Sequence, residues 1–159
     1  TGGYFSILTN PTDAGDFNPF SIREVRYALN FLVDRNLIVN ELLGGYGSPM
    51  ISNYGSFSAD YLGIIDVLES FQFRYNPSLA NQIIIENLEE KGAYKSNGVW
   101  HYEDKPIEIT FFIRSDDPAR KAIGEILSSK LESIGFVVKK EFGDLNKACL
   151  LYTSDAADE

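Results

Sequence analysis

Adjacent carboxylates at Glu89-Glu90, Asp116-Asp117 and Asp158-Glu159 are the residue types in this chain best suited to proton transfer. Paired acids do general acid–base work when burial makes them share a proton. Their positions argue against it. The first pair ends an apolar-periodic stretch, the second precedes Pro118 where a helix cap belongs, and the third closes the sequence. Solvated or capping roles are expected for all of them. His101 is the single histidine, set between Trp100 and Tyr102, so a histidine metal cluster or a Glu-x-x-His pair cannot form. The single cysteine, Cys149, excludes an internal disulfide framework and lies in a stretch expected to stand outside the fold, a poor place for a nucleophile. Gly44-Gly-Tyr-Gly47 has glycines like those of a phosphate-cradling loop. It lacks the Gly-Lys-Ser/Thr ending and closes a helix where a phosphate loop would open one. Two readings of it stay open: a loop whose glycines let the backbone swing clear of a ligand with Tyr46 exposed, or a plain C-cap and turn. No catalytic set converges, and neither a cofactor nor a metal is expected.

The elements that must position these residues are legible from capping and periodicity. Tyr4 to Thr9 is a short β-rich run that Asn10-Pro11 ends, because proline removes a donor and holds its predecessor extended. Residues 11–19 form a turn-rich connector punctuated by Asp13, Gly15, Asn18 and Pro19. Ser21 with Glu24 spells a capping box, and Ile22, Val25, Leu29, Leu32 and Val33 follow at helical spacing. Asp34 caps a second short helix that Gly44-Gly45 stops. Residues 44–63 read as one long loop, the kind that is functional or mobile, and 64–75 fit either a helical turn or coil. Asn76-Pro77 opens a helix with Leu79, Ala80, Ile83, Ile84 and Leu88 as its buried stripe, stopped by Gly92.

Asn97-Gly98 is a tight-turn dipeptide leading into a strand at 99–102, and 103–106 form a second turn. Residues 107–113 alternate, with Ile107, Ile109, Phe111 and Ile113 on one face. Asp117-Pro118 starts a helix over 118–134 that Gly135 ends in the left-handed conformation, and 136–142 is a further strand. Strand, helix and strand make a βαβ unit, hence an α/β layer. Residues 143–148 begin another helix. The stretch 149–159 is expected not to continue it, to be non-native or disordered, and to pack poorly.

The bulk numbers agree with a soluble globular domain: 159 residues, 44% hydrophobic, 23% charged. A net charge of −9 with no lysine–arginine stripe argues against nucleic acid. It suits solubility first and cationic ligands second. No run reaches the ~20 apolar residues that span a bilayer, and no secretory signal is visible. Beginning at Thr1 without an initiator methionine, the sequence is expected to be the interior of a longer protein.

One succession is more specific than any of these. Asn18-Pro19-Phe20, Arg23, Val25-Arg26-Tyr27-Ala28-Leu29, Asp34-Arg35, Ile38-Val39 and Gly45-Tyr-Gly-Ser-Pro49 follow one another. Tyr75-Asn76-Pro77, Gly92-Ala93-Tyr94, the Trp100 hairpin, Pro106-Ile107 and Ile134-Gly135 come after them in order. Over about residues 3–148 this resembles the second lobe of the extracytoplasmic solute-binding proteins of family 5, which serve peptide and nickel ABC transporters. The resemblance implies an α/β fold: part of the second lobe of a periplasmic-binding-protein-like type II fold, a mixed sheet flanked by helices. It implies a non-enzymatic receptor outside the membrane, periplasmic or at the cell surface. Its partners would be a peptide or small solute and ABC permease subunits. Any membrane association would run through parts missing here.

Those proteins close two hinged lobes on a ligand, a population shift driven by contacts to both lobes. One partial lobe is therefore expected to bind poorly by itself. The resemblance places ligand contacts on the first strand, at Tyr4 and Ser6 or at Phe5 on its other face. It places a second set on the Tyr46–Asn53 loop, at Tyr46, Ser48 and Asn53. Tyrosines suit peptide side chains, and strand edges hold extended peptides by main-chain bonds. Residues 41–50 contain no lysine or arginine to meet a ligand carboxylate, and a single histidine gives nickel chelates no support. Two other readings remain: a sensor or interaction domain built on the same lobe, and a small α/β hydrolase or transferase.

Overall fold

The computed structural model describes residues 4–12, 15–55 and 58–155, with side chains described as far as Leu150. Asp13, Phe57 and the Asp158-Glu159 pair lie outside the described residues. Helices α1 (Arg23–Leu32), α2 (Arg35–Leu37), α3 (Ala59–Ser70) and α4 (Pro77–Glu90) come first. An antiparallel meander of β1 (Tyr94–Ser96), β2 (Val99–Tyr102) and β3 (Lys105–Pro106) follows. The chain then forms β4 (Glu108–Arg114), α5 (Pro118–Ile134), β5 (Val137–Gly143) and α6 (Leu145–Asp155), with β4 and β5 parallel from Glu108↔Val137 to Arg114↔Gly143.

Local chemistry accounts for most boundaries. Asp34, Asn76 and Asp117 each accept from the backbone N–H three residues on, at 3.0, 3.1 and 3.0 Å, and Pro77 and Pro118 occupy first helical positions where no donor is lost. Asn97 (φ 50°) and Gly98 (φ 81°) turn the chain between β1 and β2, as the dipeptide predicts. Gly135 (φ 114°) ends α5 in the left-handed region.

Four expectations change. The Ser21–Glu24 box does not form: Asn18 caps one turn earlier, accepting from Phe20 N–H at 2.9 Å, and a 3-10 turn fills Pro19–Ser21. Ser21 donates to the Asn18 carbonyl at 2.8 Å, and Ile22 precedes α1 without a side-chain cap. Tyr4–Thr9 forms no strand, because no backbone ladder reaches it among the described residues. The long loop ends early, at Ser58, whose hydroxyl accepts from Tyr61 N–H at 3.1 Å and opens α3 through the region left ambiguous. Last, the helix begun at Leu145 does continue past residue 149, as far as Asp155; residues 156–159 lie outside the described residues.

The core lies between α1, α4, the meander and the inner face of the βαβ unit. Val25, Ala28, Phe31 and Leu32 of α1 meet Ala80, Ile84 and Leu88 of α4. Trp100, Ile107, Ile109, Leu131, Ile134 and Phe136 close it from the other side. Of the expected α1 stripe, Leu29 is only partly buried, and Ala28 and Phe31 take the central places. Trp100 joins the layers: its N–H donates to the Gly135 carbonyl at 2.9 Å and its carbonyl accepts from Ile107 N–H at 2.8 Å.

Candidate functional site

Parallel strands leave their chemistry at their carboxyl ends, where the βα turn opens and the helix N-terminus points. Here that end carries Arg114, Ser115, Asp116 and Asp117 after β4, with Gly143 after β5. Arg114 grips Asp116 with two hydrogen bonds, 3.0 and 2.7 Å. That grip holds the Asp116 carboxyl below the usual range and raises Arg114. Asp117 caps α5 and meets Arg120 at 3.7 Å. The second expected acid pair is therefore structural, one partner in an ion pair and one in a cap.

Tyr4 and Phe5 arrive at this same end. The Arg120 guanidinium lies 4.4 Å from the Phe5 ring centroid and donates to the Tyr4 carbonyl at 3.4 Å. Tyr4, Phe5 and Ser6 are all exposed, and neighbouring Leu8 is 72% exposed. Sequence reasoning passed over Arg120 because nothing local marks it; only the fold brings it to residues so distant in sequence.

The second predicted group stands on the loop after α2. The α2 backbone widens into a π-helical stretch, Ile38–Leu42, closed by Leu43 N–H to the Ile38 carbonyl at 3.1 Å. Gly44 and Gly45 follow at φ 58° and 82°, values that glycine adopts without cost. They throw Tyr46 outward, 91% exposed, and Ser48 and Asn53 are exposed as well. The loop is anchored by Arg35, which donates to the Met50 carbonyl at 2.8 Å and to the carbonyl and side-chain oxygen of Asn30 at 3.0 and 2.9 Å. Burial lowers the pKa of this guanidinium. A cation in the first turn of a helix opposes the dipole, and that mismatch was the available signal that Arg35 serves something else. Arg35→Ala is expected to destabilise the chain by about 2 kcal/mol, the worth of charged hydrogen bonds lost from a partly buried site. Limited proteolysis should then cut within residues 46–55 earlier than in the parent.

The π-helical stretch packs against α5, the helix that also carries Arg120. Both predicted groups are thus referred to one helix, but no hydrogen bond or ring contact joins them among the described residues. Neither group lines the cleft of about 430 Å³ found between Ile7–Asn10, α1, α5 and Glu108–Phe111. No cluster of three or more His, Cys, Asp or Glu side chains able to hold a metal occurs among the described residues. No described helix is long and apolar enough to cross a membrane.

The α/β layer and its superposition on solved relatives define a class: a lobe of the periplasmic-binding-protein type II fold. The chain belongs to the bacterial extracellular solute-binding proteins, family 5, whose model, described as the middle region, matches residues 1–157. Among its relatives is the oligopeptide-binding protein AppA of Bacillus subtilis (strain 168), 29% identical over 124 residues, covering 77% of this chain and 22% of AppA. The structure of AppA in complex with a nonapeptide superposes with a TM-score of 0.66 at 27% identity, over 81% of this chain and 25% of that one. NikZ of Campylobacter jejuni, solved with Ni(L-His), gives 0.57 at 24% identity, over 79% and 24%. A Thermotoga maritima oligopeptide-binding protein with bound mannohexaose gives 0.53 at 21%, over 81% and 24%. The last two show the shared fold. This chain spans about a quarter of the length of these relatives.

Proposed function

We propose that this chain is part of an ABC-transporter receptor that captures peptides outside the membrane and hands them to a permease. The observation that carries the reading is the combination of the family match over residues 1–157 with the similarity to AppA, whose structure holds a nonapeptide. The exposed Tyr4, Phe5 and Ser6 and the loop bearing Tyr46, Ser48 and Asn53 are the surfaces this lobe would turn to its cargo. Such a receptor holds cargo without transforming it, a reading supported by Asp116 standing in an ion pair and Asp117 in a helix cap.

The test is ligand-dependent thermal stabilisation of a full-length protein carrying this lobe, against dipeptides, oligopeptides and nickel chelates. A peptide at about one hundred times its Kd adds about 2.7 kcal/mol, a shift easily read. Failure of every peptide, with a shift from a chelate or sugar, would replace the substrate class and leave the receptor reading standing. In this reading residues 149–159, although α6 runs on to Asp155, contribute little to the stability of the lobe. Truncation after Ala148 is therefore expected to leave the melting temperature unchanged, and a clear drop would return the tail to the fold.

A further inference from the structure

Asn97 carries an amide that its own neighbour can attack. An asparagine side chain and the next backbone nitrogen close a succinimide ring when that nitrogen reaches Cγ. A following proline or bulky side chain prevents it, and so does a hydrogen bond that holds the nitrogen. Asn10, Asn18 and Asn76 precede proline, which has no N–H to give up. Asn30, Asn40, Asn81 and Asn87 lie in helical backbone, whose N–H groups are engaged along the helix. The nitrogens after Asn36, Asn53 and Asn146 donate to the side chains of Asp34, Ser52 and Asp144, at 3.0, 3.2 and 2.9 Å. Asn97 alone precedes glycine.

Nothing in the fold shields it. Asn97 and Gly98 are both exposed and form the two-residue loop inside the Ser96↔Val99 pair. Their φ angles of 50° and 81° make it a type I′ turn. No hydrogen bond to the Gly98 N–H or to the Asn97 side chain is found among the described residues. We propose that Asn97 is a self-modification site, which in the folded chain loses ammonia and becomes aspartyl or isoaspartyl. The Gly98 N–H gives its proton to hydroxide and the nitrogen attacks Asn97 Cγ. The Cγ–Nδ2 bond breaks, and Nδ2 leaves as ammonia with a proton taken from water. Water then opens the succinimide at one of its two carbonyls. Opening at Cγ gives the aspartyl form. Opening at the main-chain carbonyl sends the backbone through Cβ and Cγ, longer by a methylene.

The tertiary setting makes the two products unequal. Asp-Gly suits the same turn as Asn-Gly, so the aspartyl form keeps it. The isoaspartyl form lengthens a loop that has no slack. The Gly98 carbonyl packs so closely on the end of α5 that a Cβ at Gly135 would lie 2.5 Å from its oxygen. Two residues further on, Trp100 N–H donates to the Gly135 carbonyl at 2.9 Å. The added methylene therefore parts the meander from α5 where the two layers are joined. This modification is independent of cargo and of the receptor reading.

The test incubates the 159-residue chain in mildly alkaline buffer beside a synthetic peptide of residues 94–102. Fragmentation mass spectrometry reads conversion at each asparagine and tells aspartyl from isoaspartyl. An exposed turn opens at little cost, whereas a need for global unfolding would slow the reaction about a thousandfold or more. Conversion at Asn97 is expected within about a hundredfold of the peptide's rate, ahead of every other asparagine, and slower in mildly acidic buffer. The isoaspartyl fraction, isolated by ion exchange, is expected to melt about 3 °C or more below the fresh chain. Asn97→Asp is expected to melt with the fresh chain. Conversion slower than that bound, or faster at another asparagine, would overturn the site. An isoaspartyl fraction that melts with the fresh chain, or Asn97→Asp melting as low as that fraction, would overturn the part given to the methylene.

Discussion

Trp100→Ala is expected to lower the melting temperature by about 10 °C, from a loss of 3–5 kcal/mol typical of an aromatic deleted from a closed core. The indole is fully buried among residues contributed by α1, α4 and the βαβ unit. Its backbone also bonds both Gly135 and Ile107, so the cavity opens where the meander is tied to the parallel layer and cannot easily collapse. Trp100→Phe separates packing from polarity. The indole Nε1 is buried with no partner among the described residues, and an unpaired buried donor costs about 1–3 kcal/mol. Phe relieves that cost while losing some volume, so its melting temperature should fall much less than that of the alanine variant. Thermal unfolding followed by circular dichroism reads both. Equal losses in the two variants would show that the apolar body is not what holds the layers together.

Gly135→Val is expected to be at least as damaging, and to leave little soluble folded chain. The backbone here has φ 114°, which a β-branched residue adopts only with strain of about 1–3 kcal/mol. Space adds a second cost: a Cβ would lie 2.5 Å from the Gly98 carbonyl oxygen and 3.2 Å from Trp100 Cδ1. Backbone cannot yield as a side chain can, so the helix end and the Asn97-Gly98 turn would have to part. Gly135→Ala carries the same two penalties in smaller measure and is the variant to purify. Because a Cβ at position 135 would press on Trp100, the effects of the two substitutions should not add. A double-mutant cycle of Gly135→Ala with Trp100→Ala is expected to show coupling of 0.5–3 kcal/mol, the range for residues in contact. Strict additivity would mean that the two positions are energetically separate.

The elements that sequence reasoning located well are those stopped or started by a single residue's own chemistry. Asn76-Pro77, Asp117-Pro118, Asn97-Gly98 and Gly135 each act on the backbone within a few residues, so their effect is written where they stand. Ser21 and Glu24 show the limit of that reasoning. The box is correct in composition, yet Asn18, two residues before Phe20, captures the turn first. The run Tyr4–Thr9 shows another limit: strand propensity records a readiness to pair, and pairing requires a partner edge. The α3 helix was hidden for a different reason. Its apolar residues Leu62, Ile64, Ile65, Val67 and Leu68 follow no single face, and only Leu68 is buried.

The candidate site divides in the same way. A glycine turn before Tyr46 was legible, because glycine permits the positive φ found at Gly44 and Gly45, whereas the exposure of Tyr46 was one of two readings left open. Arg35 tying that loop to Asn30, and Arg120 receiving Tyr4 and Phe5, were not, since each joins positions that only folding brings together. By itself the sequence determined the limits of α4 and α5, the tight turns, the βαβ unit and the family, all of which rest on short-range backbone chemistry or on the order of motifs. The tertiary structure alone decided which apolar faces are covered, which basic side chains hold the exposed segments, and that β4 pairs with β5 alone among the described residues. Burial and hydrogen-bond pairing are properties of neighbours in space, and no local pattern encodes who those neighbours are.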